Sequence, residues 1–229
     1  MNLLLLVLLN KWIYSPRKVL IPNNLETVFL DDRVGFLKTE NNTCFVVHRG
    51  TWSLEDVMYD LESLIYQKCN ENGFLEVFYE SYKHDYNIDM LVTDEACEEV
   101  YYTGHSLGGV TSRMAAAFAT HGVPIKQLVT FGEPHSCCDN KINNTEYSLR
   151  VINGKDPIPT LPSGTTLHHC SSVSIDIVSG KWHDDMSFPN VEPKHAWYYL
   201  DECHRIGKYE KSIKRYINKQ LLNILLEVK

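Results

Sequence analysis

The chain reads as a single α/β domain, a mostly parallel central sheet flanked by helices. Two observations predict it. Strand-like and helix-like segments alternate along the chain, the pattern of an α/β layer architecture. The pentad Gly104-His105-Ser106-Leu107-Gly108 joins the apolar run Val100–Tyr102 to the helical run Ala115–Ala117. That strand–turn–helix setting is what a sharply turned serine requires. A length of 229 residues fits one core.

Met1 to Leu9 is leucine-rich. It has no basic leader and no small-residue cleavage site, so it reads as a buried first helix within an apolar segment 1–20. An anchor or secretion signal is the alternative reading of the same residues. No apolar run reaches the ~18 residues of a membrane span. Leu25 to Lys38 reads as strand, with Asp31-Asp32 as a turn inside it. Thr43 to His48 is a short apolar strand that runs into Arg49-Gly50.

Ser53 to Gln67 is the clearest helix. Leu54, Val57, Met58, Leu61, Leu64 and Ile65 form one stripe, Ser53 is its N-cap, and Trp52 and Val57 stand at the hydrophobic-staple positions. Gly73 to Leu91 follows as helix, Glu98 to Thr103 as strand and Leu107 to Thr120 as helix. Gln127–Phe131, Tyr147–Asn153 and Val173–Val178 read as strands, and Arg205 to Val228 as a closing helix.

The net charge of -7 excludes the basic surplus of a nucleic-acid binder. The charge is uneven. From Arg205 onward seven Lys or Arg stand against Glu210 and Glu227, while Tyr209, Ile213, Tyr216, Ile217, Leu221, Ile224 and Val228 share one face. A packed terminal helix with solvated lysines is the favoured reading, and peripheral contact with a lipid interface the alternative. Seven cysteines, an odd number with no C-x-x-C pair, predict mostly reduced thiols and an intracellular or peripheral location. His168-His169-Cys170 lacks a second ligand cluster, so neither a metal nor a cofactor is expected.

The chemistry centres on Ser106. Gly104 and Gly108 keep its tight turn free of side chains, and the helix start at Leu107 offers a backbone N–H where an oxyanion forms. A nucleophilic serine needs a base, and the base an orienting carboxylate, in the chain order Ser, acid, His for this architecture. Asp156 lies just past a strand end and is preferred over Asp139, Asp176, Asp184 and Asp185. The histidines after it are His168, His169, His183, His195 and His204. His195, on a loop entering a helix, is preferred, with His169 next.

These motifs fall in an order that resembles the class 3 lipase family, the fungal-type triacylglycerol lipases of α/β-hydrolase fold. Val46-Val47-His48-Arg49-Gly50-Thr51 looks like its strand ending in R-G-T, and Asp60-Leu61 like its D-L pair. Thr103-Gly104-His105-Ser106-Leu107-Gly108-Gly109 matches its T-G-H-S-L-G-G, and Thr130-Phe131-Gly132-Glu133-Pro134 its T-F-G-x-P. Arg150 to Pro159 resembles R-V-x-N-x-x-D-P-V-P, and His195-Ala196-Trp197-Tyr198 resembles H-x-x-Y. Gly73-Phe74 keeps the end of an H-x-G-F segment whose histidine is Glu71 here. Cys170 and Ser171 replace an expected glycine near His169.

The resemblance implies ester hydrolysis with Ser106 as nucleophile, His195 as base and Asp156 as its orienter. It implies an oxyanion hole of Thr51 and Leu107, and a candidate lid in the helix carrying Trp52, Leu54, Val57 and Met58. The expected partner is a lipid or ester substrate. Acylglycerol lipase, phospholipase A1 and small-ester esterase activities all fit, and a catalytically silent lipase-like binding protein is the reading of a different class. Oligomeric state is not legible.

Overall fold

The computed structural model describes residues 2–51, 69–71, 73–82, 88–138, 145–161, 173–183 and 199–227. Eight strands form one sheet in sequential order. They are β1 (Leu25–Leu30), β2 (Val34–Thr39), β3 (Thr43–His48), β4 (Glu99–His105), β5 (Ile125–Phe131), β6 (Ser148–Ile152), β7 (Val173–Asp176) and β8 (Lys181–His183). The pairs from β3 to β7 are parallel. The β1–β2, β2–β3 and β7–β8 pairs are antiparallel.

The first strand pair is a hairpin because Asp31 supplies its turn. Its carboxylate accepts the backbone N–H of Arg33 and of Val34. In the parallel strands, alternate residues feed opposite faces. Phe45 and Val47 of β3 join a cluster with Val129, Phe131, Leu149 and Val151, while Cys44 and Val46 join Val100, Tyr102 and Leu128 on the other side.

Helix α1 (Leu3–Tyr14) covers the first face, with Leu6, Val7, Leu9, Trp12 and Ile13 buried. The closing helix α5 (Ile206–Glu227) lies beside it and contributes Tyr209 and Ile213. The apolar face of α5 thus packs inward there, and Lys211, Lys214, Arg215 and Lys219 stay exposed. The segment expected as one helix from Gly73 to Leu91 contains two described helices, α2 (Glu76–Tyr82) and α3 (Ile88–Asp94). Helix α4 (Leu107–Ala117) follows β4 on the second face. The Ser53–Gln67 helix lies outside the described residues. Among those described, no helix is long and apolar enough to cross a membrane.

The expectation of mostly reduced thiols is corrected. Cys44 pairs with Cys97, and Cys69 with Cys138. Cys137 is also disulfide-bonded, and Cys203 is free. The partners lie 53 and 69 residues apart in sequence, so no short spacing announces them. The fold brings them together.

Candidate active site

The carboxyl ends of the parallel strands carry the site, as open α/β sheets require. Strand β4 ends at His105, and Ser106 turns the chain into α4 with φ 57° and ψ -129°. A non-glycine residue here costs on the order of 1–3 kcal/mol and persists only where its surroundings enforce it. The enforcement is backbone packing. A Cβ on Gly104 would lie 2.0 Å from the Gly108 carbonyl oxygen, and one on Gly108 would lie 2.3 Å from that of His48. The Ser106 N–H donates to Phe131 O at 2.9 Å, and its own carbonyl accepts from Gly109 at the same distance. The Gly108 approach also sets the end of β3, which leads to Thr51, against the start of α4 at Leu107.

Asp156 follows β6 and is buried. Its Oδ1 accepts the Ile158 N–H at 3.0 Å, and its Oδ2 accepts the Tyr209 hydroxyl at 2.5 Å. Burial, followed by the nearby Asp156 charge, holds the Tyr209 phenol far above its ordinary range, so it remains a donor. The fourth group is His204, in a π-turn (Leu200–His204) just before α5. Its Nδ1 donates to Asp156 Oδ2 at 2.8 Å and lies 3.1 Å from Oδ1. A carboxylate only accepts, so Nδ1 carries the proton, and in the neutral imidazole Nε2 is then the acceptor. The His204 ring packs 4.7 Å, centroid to centroid, from that of His105, the neighbour of the serine. Among the described residues, His204 Nε2 and Ser106 Oγ are both buried and have no hydrogen-bond partner. An imidazole held by a carboxylate and a serine on a strained turn are groups that acyl transfer uses.

Ser106 and Asp156, chosen from sequence, thus reach the same end of the sheet. His195, His169 and the lid residues Trp52, Leu54, Val57 and Met58 lie outside the described residues. His204 was one of several histidines after Asp156, and no local motif marked it. Only the return of the chain to Asp156 does so. Tyr209 gave no signal either, beyond its place on the apolar face of the last helix.

A second buried cluster lies behind α4. Glu133 receives Arg113 through two bonds, Nε to Oε1 at 2.6 Å and an NH2 donor to Oε2 at 2.7 Å. Thr130 adds a hydroxyl at 2.6 Å, and Arg150 Nε stands 3.5 Å from Oε2. Although burial opposes ionisation, the Arg113 charge leads the groups that hold the Glu133 carboxyl below its ordinary range.

The fold and the motifs agree with comparisons to known proteins. No curated protein sequence matches the chain. Among solved structures it is similar to the Lip2 lipase of Yarrowia lipolytica, with 21% identity, 76% of this chain and 77% of that one covered, and a TM-score of 0.53. It is similar to the triacylglyceride lipase of Rhizomucor miehei at 17% identity, covering 89% and 91% of the two chains with a TM-score of 0.61. A triacylglycerol lipase described as having a serine-protease triad at its catalytic centre is matched at 17% identity over 85% and 87%, with a TM-score of 0.63. These likenesses show a shared α/β-hydrolase fold. The model of the class 3 lipase family matches residues 45–166, more than half of the sequence, and the chain belongs to that family.

Proposed function

We propose that the protein hydrolyses lipid esters through an acyl-enzyme, with Ser106 as nucleophile, His204 as general base and acid, and Asp156 as the group that orients it. The observation carrying this reading is the Asp156–His204 pair, with Nδ1 held at 2.8 Å and Nε2 left open, beside a serine in a strained turn. Ser106 Oγ attacks the ester carbonyl carbon as its proton passes to His204 Nε2. Negative charge on the carbonyl oxygen falls to the Thr51 and Leu107 donors. Collapse breaks the ester C–O bond, and the His204 proton leaves with the alcohol. Water then repeats the sequence on the acyl-enzyme. Apo hydrogen bonds between base and nucleophile are commonly long and tighten with substrate, which suits the open pair seen here.

His195 is the second reading, favoured by the H-x-x-Y pattern it opens. The test joins a fluorophosphonate probe with three variants. Wild type is expected to label at Ser106 and to hydrolyse a panel of nitrophenyl esters, triacylglycerols or phospholipids, with Ser106→Ala as the blank. His204→Ala is expected to lose about 10⁶-fold in kcat and His195→Ala less than about tenfold, in line with the weight of a triad base. The reverse order moves the base to His195. Absence of labelling in folded wild type replaces the enzyme by a silent lipid-binding protein. The panel separates acylglycerol, phospholipid and small-ester preference. The disulfides support folding in an oxidising compartment rather than the intracellular location that goes with reduced thiols.

A further inference from the structure

Helix α1, read from sequence as a buried first helix, carries Asn10 into the core and Tyr14 to its edge. Asn10 and Tyr14 stand one helical turn apart on one face. On β4, Thr103 and His105 stand two residues apart on one face of the sheet. The pairs meet. Asn10 Nδ2 donates to Thr103 Oγ1 at 2.6 Å, and Tyr14 Oη lies 3.0 Å from His105 Nδ1. The apolar helix is thus keyed to the strand that ends at the nucleophile.

The second contact extends further. His105 Nε2 lies 2.6 Å from the backbone carbonyl of His204. A carbonyl only accepts, so Nε2 carries the proton. Burial, then the neighbouring His204 ring, keeps the His105 imidazole neutral by holding its pKa well below the ordinary histidine range. Nδ1 is therefore an acceptor, and the Tyr14 hydroxyl donates to it. The Tyr14 oxygen then accepts the Gly50 N–H at 3.1 Å. Gly50 precedes Thr51, and a Cβ at Gly50 would lie 3.0 Å from Ser106 Cβ. The donor directions run one way, from Gly50 N–H to Tyr14, to His105, to the His204 carbonyl. This relay touches the oxyanion loop, the nucleophile turn and the base-bearing turn, and each belongs to a different segment.

We propose that Tyr14 is a positioning residue, which through His105 fixes the Gly50–Thr51 loop and the His204 turn relative to Ser106, so that the N-terminal helix is part of the catalytic scaffold. It touches no reacting atom. The inference rests on the serine-hydrolase reading and adds a role for the helix to it. Acyl transfer is sensitive to such placement, because misplacing a catalytic group by about 1 Å can cost about 10²-fold in rate.

The test compares two variants on the same helix, assayed well below their melting temperatures. Tyr14→Phe removes only the hydroxyl. It is expected to lower kcat and the rate of fluorophosphonate labelling by about tenfold to a hundredfold, with KM within about twofold of wild type. Asn10→Leu removes the other contact to β4. It is expected to lower the melting temperature while kcat per folded molecule stays at the wild-type value. Tyr14→Phe with wild-type kcat and labelling overturns the proposal. So does an Asn10→Leu variant that loses kcat as heavily as Tyr14→Phe, since α1 would then act through packing alone. A folded wild type that neither labels nor hydrolyses any ester overturns the hydrolase reading, and this role with it. A labelling wild type with an indifferent Tyr14→Phe overturns only the role of Tyr14.

Discussion

Two buried carboxylates near the ends of neighbouring strands have opposite surroundings. Glu133, after β5, meets two guanidinium groups that are always charged, from Arg113 and Arg150. Asp156, after β6, meets a backbone N–H, a phenol and one imidazole. The first carboxylate is neutralised by permanent cations, and its charge is spent on holding α4 to β5 and β6. The second is hydrogen-bonded to groups among which no guanidinium or ammonium stands. The first cluster ends in bonded groups, the second in the unpaired His204 Nε2. The contrast teaches that a buried carboxylate among permanent cations is built for stability, while one that holds an imidazole has the arrangement the proposed reaction needs.

The sharpest way to break the comparison is at the serine. Ser106→Gly removes the nucleophile and relieves the turn. Ester hydrolysis is expected to fall by about 10⁶-fold while stability rises by about 1 kcal/mol, read by kinetics and by thermal or denaturant melts. A destabilised Ser106→Gly would mean that the turn is not strained. Next is Glu133→Ala, which leaves two buried guanidinium groups without their counter-ion. It is expected to cost about 3–5 kcal/mol in denaturant unfolding, with kcat per folded molecule near wild type. A pure loss of kcat with unchanged stability would make Glu133 part of the working cluster.

Thr51→Ala is expected to lower kcat by about 10²-fold without a comparable loss of stability, which separates the oxyanion side from the Glu133 cluster. The smallest and broadest effect is with pH. Burial pushes the His48 imidazole down to about 3 from 6.5, so the folded state excludes a proton that the unfolded state binds. Stability is therefore full above about pH 6.5 and declines as pH falls towards 3. Glu133, held below the ordinary carboxylate range, adds a loss that begins only below about pH 4.5. A melting curve that is flat from pH 7 to 5 would contradict the first part. His48→Asn is expected to reduce the slope there, with buried His105 supplying the rest.

Much of the site was legible because its chemistry is local. A glycine on either side of a serine, between an apolar strand and a helix, constrains the backbone within a few residues. The sequence therefore sufficed to place the Ser106 turn, the helix start at Leu107 and the ends of β3 and β4. The place of Asp156 just past a strand was legible for the same reason. The imidazole on Asp156 was not legible. It belongs to His204, which sits in no pattern, while His195 and its H-x-x-Y pattern lie outside the described residues.

By itself, the amino-acid sequence determined the α/β class, the mostly parallel sheet, the serine turn and the family, since each depends on periodicity or on neighbours in the chain. Tertiary structure alone decided the partners of Asp156, the pairing of Cys44 with Cys97 and Cys69 with Cys138, and the docking of a leucine-rich helix through Asn10 and Tyr14. Those contacts join residues 48 to 93 positions apart. At such separations the loop-closure entropy is met only by the whole folded core, and nothing in the local sequence records which of several equivalent side chains arrives.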